Sequence, residues 1–352
     1  MLSREEIIQS FDPNGPGISH NLFGLPFTIE QAEIVIVPVP WEVTVSYHTG
    51  TAKGPGAILE ASAQVDLFTK DIPDAWKLGV AMLPIPQNLL DESNQLRELS
   101  SQYIRSLEGG AALNANDPVL NKINEASENL NIYVKSTTQR YLKDGKLVGL
   151  LGGDHSTPLG FIRALSERYE RFGILQIDAH ADLRKAYEGF TYSHASIMYN
   201  ALKIPGVNRL VQVGIRDFCE EEMNVINRAM GRVVTFFDED IKSSQYAGKT
   251  WDSICDQIVQ QLPDLVYISF DIDGLDPKLC PNTGTPVAGG FDFEQIAYLI
   301  KKVVKANKKI IGFDLNEVAP GNTDWDANVG ARMLYHLCNW MAVSNKKLKS
   351  TI

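Results

Sequence analysis

The chain has 352 residues, 44% of them hydrophobic and 22% charged, with a net charge of −10. That length allows a sizeable core, while the acidic balance and the lack of any basic block exclude nucleic acid or an anionic membrane as the main partner. Cys219, Cys255, Cys280 and Cys338 are scattered without CxxC spacing, which excludes a thiolate zinc site or a disulfide framework; with no signal-peptide pattern at the start, a cytoplasmic protein is expected.

In chain order, residues 1–33 contain the Gly- and Pro-rich stretch "FDPNGPGISHNLFGLPF" and read as an irregular N-terminal extension, with a single domain expected over 34–352. Short β-branched runs follow: "EIVIVPV", "KLVGLLG", "FGILQID", "RLVQVGI", "RVVTFF", "LVYISFDID" and "KKIIGFDLNEV". They are continuously apolar rather than alternating, which suits strands covered on both faces. Longer helical patterns separate them. Asp117 before Pro118 reads as a cap and first helical position, Gly145 reads as a stop, and Leu120, Ile123, Leu130, Val134 and Tyr141 share one face between them. Near the C-terminus Leu334, Leu337, Cys338 and Met341 repeat the helical period as core packing. The expected architecture is one α/β domain of three layers, α/β/α, around a mostly parallel central sheet.

Ligands in such sheets bind outside the carboxyl ends of strands, and three of those ends are unusual. "GGDHS" supplies Asp154, His155 and Ser156; "DAHAD" supplies Asp178, His180 and Asp182; "SFDIDGLDP" supplies Asp271, Asp273 and Asp276. Residues i and i+2 of an extended segment lie on one side, so Asp178 with His180, and Asp271 with Asp273, converge from neighbouring strands. Singly, each cluster has a plainer explanation: Asp154 as a loop cap, Asp276 as a turn residue. Together they hold too many carboxylates for one structural zinc, and four aspartates with two imidazoles suit two divalent ions with bridging carboxylates.

These motifs resemble those of the ureohydrolases, the family of arginase, agmatinase and formimidoylglutamase. "GTAKGPGAILEAS", "TGTPVAGGF" and "DLNEVAP" match further family segments, so the resemblance runs from about Pro38 into the C-terminal helix. It implies that His155, Asp178, Asp182 and Asp271 hold one metal and that Asp178, His180, Asp271 and Asp273 hold the other. It also implies attack on a guanidinium carbon by water activated between the ions, with Asp182 orienting that water. Glu317 would bind the guanidinium, and His194 would shuttle a proton near the leaving amine; Ser193 as a helix cap with His194 at the helix start is the plainer alternative. The ions are expected to be manganese, with nickel as the second fit. Family members are commonly trimers or hexamers, so a homo-oligomer is expected.

The substrate is less constrained. The segment "KAYEGFTYSHASIMYN" lacks the Ser and Asn arrangement with which arginases grip the amino-acid head, which disfavours arginine. A small cationic guanidino compound is expected, either agmatine or something smaller such as free guanidine. Trp41, Tyr47, Tyr192 and Trp325 lie in loops near the motifs; Tyr192 and Trp325 in particular are expected to close the pocket and stack on the cation, or else merely to pack loops. Formimidoylglutamate hydrolysis is a third reading, with Arg184, Arg209 and Arg216 unplaced. A metal-binding relative without activity is a fourth.

Overall fold

The computed structural model describes residues 3–351. Residues 1, 2 and 352, at the outer limits of the expected extension and domain, lie outside the described residues. Eight strands form one sheet in the order β2-β1-β3-β8-β7-β4-β5-β6, and every pairing in it is parallel. In sequence these are β1 Ile34–Val39, β2 Val80–Met82, β3 Leu147–Gly152, β4 Phe172–Ile177, β5 Val207–Ile215, β6 Val233–Phe237, β7 Leu265–Asp271 and β8 Lys309–Asn316. The helices are α1 Arg4–Ser10, α2 Gly54–Ser62, α3 Gln87–Glu108, α4 Pro118–Lys143, α5 Leu159–Arg168, α6 Ile197–Ala201, α7 Glu220–Arg228, α8 Asp238–Tyr246, α9 Trp251–Gln260, α10 Phe293–Lys305 and α11 Trp325–Ser344.

Side chains alternate between two cores, one on each face of the sheet. Leu175, Ile177, Val266, Ile268 and Phe270 pack with α9, α10 and α11, whereas Phe172, Ile174 and Tyr267 pack with α4, α5 and α6. Such two-sided burial accounts for the continuous apolar runs of the central strands. Helix α4 begins as the sequence dictates: an Asp117 carboxylate oxygen accepts from the Val119 and Leu120 amides at 2.8 and 3.3 Å. It ends before Gly145, whose φ of +76° is costly for any residue with a Cβ. No helix among the described residues is long and apolar enough to cross a membrane.

The N-terminal stretch departs from the irregular segment expected. Residues 4–10 form α1, started by a reciprocal cap between Ser3 and Glu6, and Leu22, Phe23, Leu25 and Phe27 are buried in the core beneath α2 and α11. Its Gly and Pro residues set turns, but its large apolar residues have a surface to bury against. The short edge strand β2 also has no counterpart in the sequence reading.

The chain places β1, β2 and β3 on one half of the sheet and β4, β5 and β6 on the other, then returns to insert β7 and β8 between them. The carboxyl ends of β3, β8, β7 and β4 are therefore neighbours, and all three acidic motifs open onto one cleft.

Candidate metal centre

The turn after β3 is built for close approach. A Cβ on Gly153 would lie 2.0 Å from the Trp41 carbonyl oxygen, and one on Gly152 would lie 1.9 Å from Asn316 Oδ1. This packing directs His155 into the cleft. Its Nδ1 lies 3.0 Å from Asp178 Oδ2, 3.2 Å from Asp182 Oδ2 and 3.3 Å from Asp271 Oδ2. His180 Nδ1 lies 3.0 Å from Asp273 Oδ2 and 3.6 Å from Asp178 Oδ1. Two sets of potential metal ligands result, His155/Asp178/Asp271 and Asp178/His180/Asp273, and they share Asp178.

The ring of His155 is oriented from behind. Ser269 Oγ donates to Asp314 Oδ1 at 3.1 Å, so it accepts from His155 Nε2 at 2.9 Å. With one hydrogen on Nε2, the imidazole turns Nδ1 toward three carboxylates. Nδ1 is buried and has no hydrogen-bond partner of good geometry among the described residues. Three anionic oxygens draw a second proton onto the ring in the protein alone, and once that proton is displaced the Nδ1 lone pair and these oxygens are the donor set that a hard or borderline divalent cation requires. The residues present fit two such ions.

The same rung of the sheet supports the other ligands. Asp314, Ser269, Gln176, Gln212 and Thr235 stand in register across β8, β7, β4, β5 and β6. Thr235 Oγ1 donates to Gln212 Oε1 at 2.8 Å, Gln212 Nε2 to Gln176 Oε1 at 2.7 Å, and Gln176 Nε2 to Asp178 Oδ2 at 2.9 Å. Backbone amides fix the remaining carboxylates: His180 N donates to Asp178, Asp273 N to Asp271 and Ala179 N to Asp273. Sequence reasoning missed this layer. Its only signal was polar residues inside otherwise apolar strands.

On protein groups alone, the cluster is electrostatically frustrated. Burial by itself would lower the histidine pKa values, but the surrounding carboxylates outweigh it and hold His155 and His180 well above the usual range. Burial, then the charge of Asp178, pushes the Asp182 carboxyl up to about 7. Burial together with Asp273 and Asp178 raises Asp271 well above the usual carboxylate range. Backbone strain adds to this frustration: Asp182 and Glu317 have φ of +54° and +64°.

Glu317 follows β8. Its amide donates to Gly153 O at 2.7 Å, and its Oε1 accepts from His155 N at 2.8 Å. A Cβ at Gly284 would stand 2.8 Å from Oε2, so glycine there keeps the space beside that oxygen open. His194 follows Ser193, whose hydroxyl caps the short helical turn by accepting from Ala195 N. The plainer reading of this histidine thus holds, yet the ring also lines a cavity of about 130 Å³ with His180, Asp182, Tyr187 and Thr285. Burial, followed by the nearby His180 and His155, lowers its pKa to about 3.

Two residues expected at the substrate are directed elsewhere. The Tyr192 ring lies 5.8 Å from the Arg163 guanidinium and lines a separate groove, because Arg163 and Glu128 satisfy its polar end. The Trp325 indole N–H donates to Lys278 O at the start of α11. Trp41 is a core residue and Tyr47 is exposed beside His48. The aromatic side chains that do line the cavity are Tyr187 and Phe218, of which Tyr187 meets the His194 ring. Tyr187 sits on a tight hairpin whose two central residues, Glu188 and Gly189, both have positive φ.

Residues 32–339 match the arginase family. The chain is 31% identical to the N(1)-aminopropylagmatine ureohydrolase of Thermus thermophilus over 87% of this chain and 89% of that protein. It is 28% identical to an agmatinase of Bacillus anthracis over 83% of this chain and 86% of that protein. Its fold superposes on the agmatine ureohydrolase of Thermoplasma volcanium with a TM-score of 0.70 at 22% identity, covering 97% and 99% of the two chains. The arginase of Bacillus subtilis superposes with a TM-score of 0.61 at 19% identity, over 87% and 98%.

Proposed function

We propose that this chain, a member of the arginase family, hydrolyses a C–N bond of a small cationic guanidino compound, agmatine or a smaller one such as guanidine, and releases urea. The observation that carries the reading is the pair of His/Asp sets sharing Asp178, with the buried carboxylate of Glu317 beside them. Relatives named for agmatine and its N-aminopropyl derivative support a guanidino substrate of this kind.

His155, Asp178, Asp182 and Asp271 would hold one divalent cation, and Asp178, His180, Asp271 and Asp273 the other; bound there, the ions supply charge neutralisation and a more acidic water. Oxygen and imidazole donors without thiolate favour manganese, then nickel. Glu317 binds and orients the substrate. Guanidinium is planar and permanently charged, and a carboxylate matches two of its N–H groups. Burial and the neighbouring Asp154 raise the Glu317 pKa well above the usual range, and an adjacent guanidinium restores the anion. Asp182, with its carboxyl at about 7 on protein groups alone, accepts a hydrogen bond from the attacking water and turns its lone pair toward the carbon. His194 is neutral at working pH, so its ring carries one donor and one acceptor and relays a proton to the departing nitrogen.

The test is urea release from protein loaded separately with manganese and nickel, against guanidine, agmatine, arginine and 4-guanidinobutyrate, with formamide assayed from formimidoylglutamate. Urea from guanidine or agmatine is expected, with arginine weaker by at least about tenfold because the segment around His194 lacks the Ser and Asn arrangement with which arginases grip the amino-acid head. Formamide without urea would move the chain to the formimidoyl chemistry. No turnover with both metals bound would leave a metal-binding protein without this activity.

A further inference from the structure

We infer that Arg184 determines which guanidino compounds the site accepts, admitting those whose far end is uncharged or carboxylate-bearing and disfavouring those with a second cation. The inference rests on the reading above: within its substrate class it favours guanidine over agmatine, and it extends that class to carboxylate-ended guanidino compounds.

The sequence left three arginines unplaced, and the structure separates them. Arg216 is consumed internally: its guanidinium donates to the carbonyls of Gly214, Asp273, Leu275 and Val287. Arg209 donates to Gly231 O at the far end of the sheet. Arg184, two residues beyond Asp182, lines the catalytic cavity itself. Its guanidinium lies over the Tyr187 ring at 4.7 Å, and Tyr187 in turn meets His194 edge-on with ring centroids 6.2 Å apart.

Two features keep that charge active toward a ligand. First, the Arg184 side chain makes no hydrogen bond among the described residues; its one ion pair is Nε to Glu222 Oε2 at 3.9 Å. Glu222 is already committed, since its two oxygens accept from Leu183 N and Cys219 N at 2.9 Å each. The terminal nitrogens of Arg184 are therefore free donors beside the substrate space. Second, the stack on Tyr187 orders the side chain, and the Tyr187 hairpin is anchored by Asn124, whose amide nitrogen donates to Gly189 O and whose oxygen accepts from Thr191 N. A fixed guanidinium fork repels an ammonium tail and offers two parallel hydrogen bonds to a carboxylate.

The carboxylates of Asp217 and Glu222 are the counter-argument, since both line the same cavity. Glu222 is held by the Leu183 and Cys219 amides and turned toward Arg184 Nε rather than the open cavity. The Asp217 side chain is 67% exposed and faces His180 Nε2 at 3.9 Å, so solvent and the imidazole weaken its pull on a tail. Arg184 is only 35% exposed, and its charge is screened less.

The experiment compares kcat/KM, and calorimetric binding, for guanidine, 4-guanidinobutyrate and agmatine in manganese-loaded wild type, Arg184→Gln and Arg184→Lys. Wild type is expected to favour guanidine or 4-guanidinobutyrate over agmatine by at least about tenfold, the scale of one like-charge contact at a partly exposed site. Guanidine ahead identifies a tail-less substrate, and 4-guanidinobutyrate ahead identifies the fork as a carboxylate reader. In Arg184→Gln the agmatine-to-guanidine ratio rises about tenfold, mostly through KM, while Arg184→Lys keeps the charge and stays near the wild-type ratio. Preference for agmatine in wild type, or a ratio unmoved by Arg184→Gln, overturns the inference and leaves the ureohydrolase reading standing. If no substrate releases urea yet the binding ratios follow this order, the reaction assignment fails and the role of Arg184 survives.

Discussion

Phe270 and Asp271 are consecutive residues of β7, 0% and 3% exposed, and they teach opposite lessons about burial. Phe270 gains from its place in the core, where burying a large apolar side chain contributes roughly 1.5–3 kcal/mol. Asp271 is held in the same dry environment against its own solvation and against Asp273 and Asp178, which keeps its carboxyl well above the usual range. The apolar middles of β4 and β7 provide the stability that lets their carboxyl ends hold groups that oppose folding. Function occupies the positions where burial costs rather than helps.

Substituting across that boundary tests the contrast most strongly. Asp271→Asn removes a carboxylate proposed to bridge the two ions while keeping an oxygen for the Asp273 amide, so urea release should fall by about 10³-fold or more. Its effect on the metal-free protein has a definite sign. A carboxyl whose folded pKa is raised favours the fold while protonated and opposes it as pH rises through the ordinary carboxylate range toward its folded value. Metal-free Asp271→Asn should therefore melt no lower than metal-free wild type at pH 7, with the difference vanishing below about pH 4. A marked loss of stability at pH 7 would contradict this account of Asp271. Phe270→Ala, one residue earlier, should do the reverse and cost about 3–5 kcal/mol in denaturant unfolding. A loss under 1 kcal/mol in that experiment would show that the strand middle is not the stabilising half.

Two finer changes separate roles within the site. Glu317→Gln should keep metal content by elemental analysis while lowering kcat/KM by about 10²-fold, since the neutral amide no longer pairs with guanidinium. Loss of metal with substrate affinity retained would make Glu317 a structural support. Ser269→Ala breaks the link from Asp314 to His155 without touching a ligand, so metal affinity should weaken by about 10- to 100-fold. An unchanged affinity would mean that packing alone orients the His155 ring.

Much of this was legible in the sequence because it is local. Asp178, His180, Asp271 and Asp273 come together from "DAHAD" and "SFDIDGLDP", but through turns past the strand ends rather than by alternation: β4 stops at Ile177, and residues 272–274 form a helical turn whose Asp273 amide donates to Asp271. Asp117 and Pro118 start α4 through contacts only a few residues apart. What stayed hidden depends on register and packing. Ser269 and Asp314 meet because β7 and β8 pair in one particular register, and no pattern within either strand announces it. Strand β2 has three residues, too few for an apolar run to stand out. Tyr187 was passed over for Tyr192 because the backbone turn at Glu188 and Gly189 decides which ring faces the cavity.

The central claim is that two metal ions share Asp178. Anomalous diffraction from manganese-loaded crystals, collected near the manganese absorption edge, tests it most directly. The account predicts two peaks per chain, both within coordinating distance of the Asp178 carboxylate, one beside His155 Nδ1 and the other beside His180 Nδ1. A single peak, or two peaks of which only one touches Asp178, would contradict it.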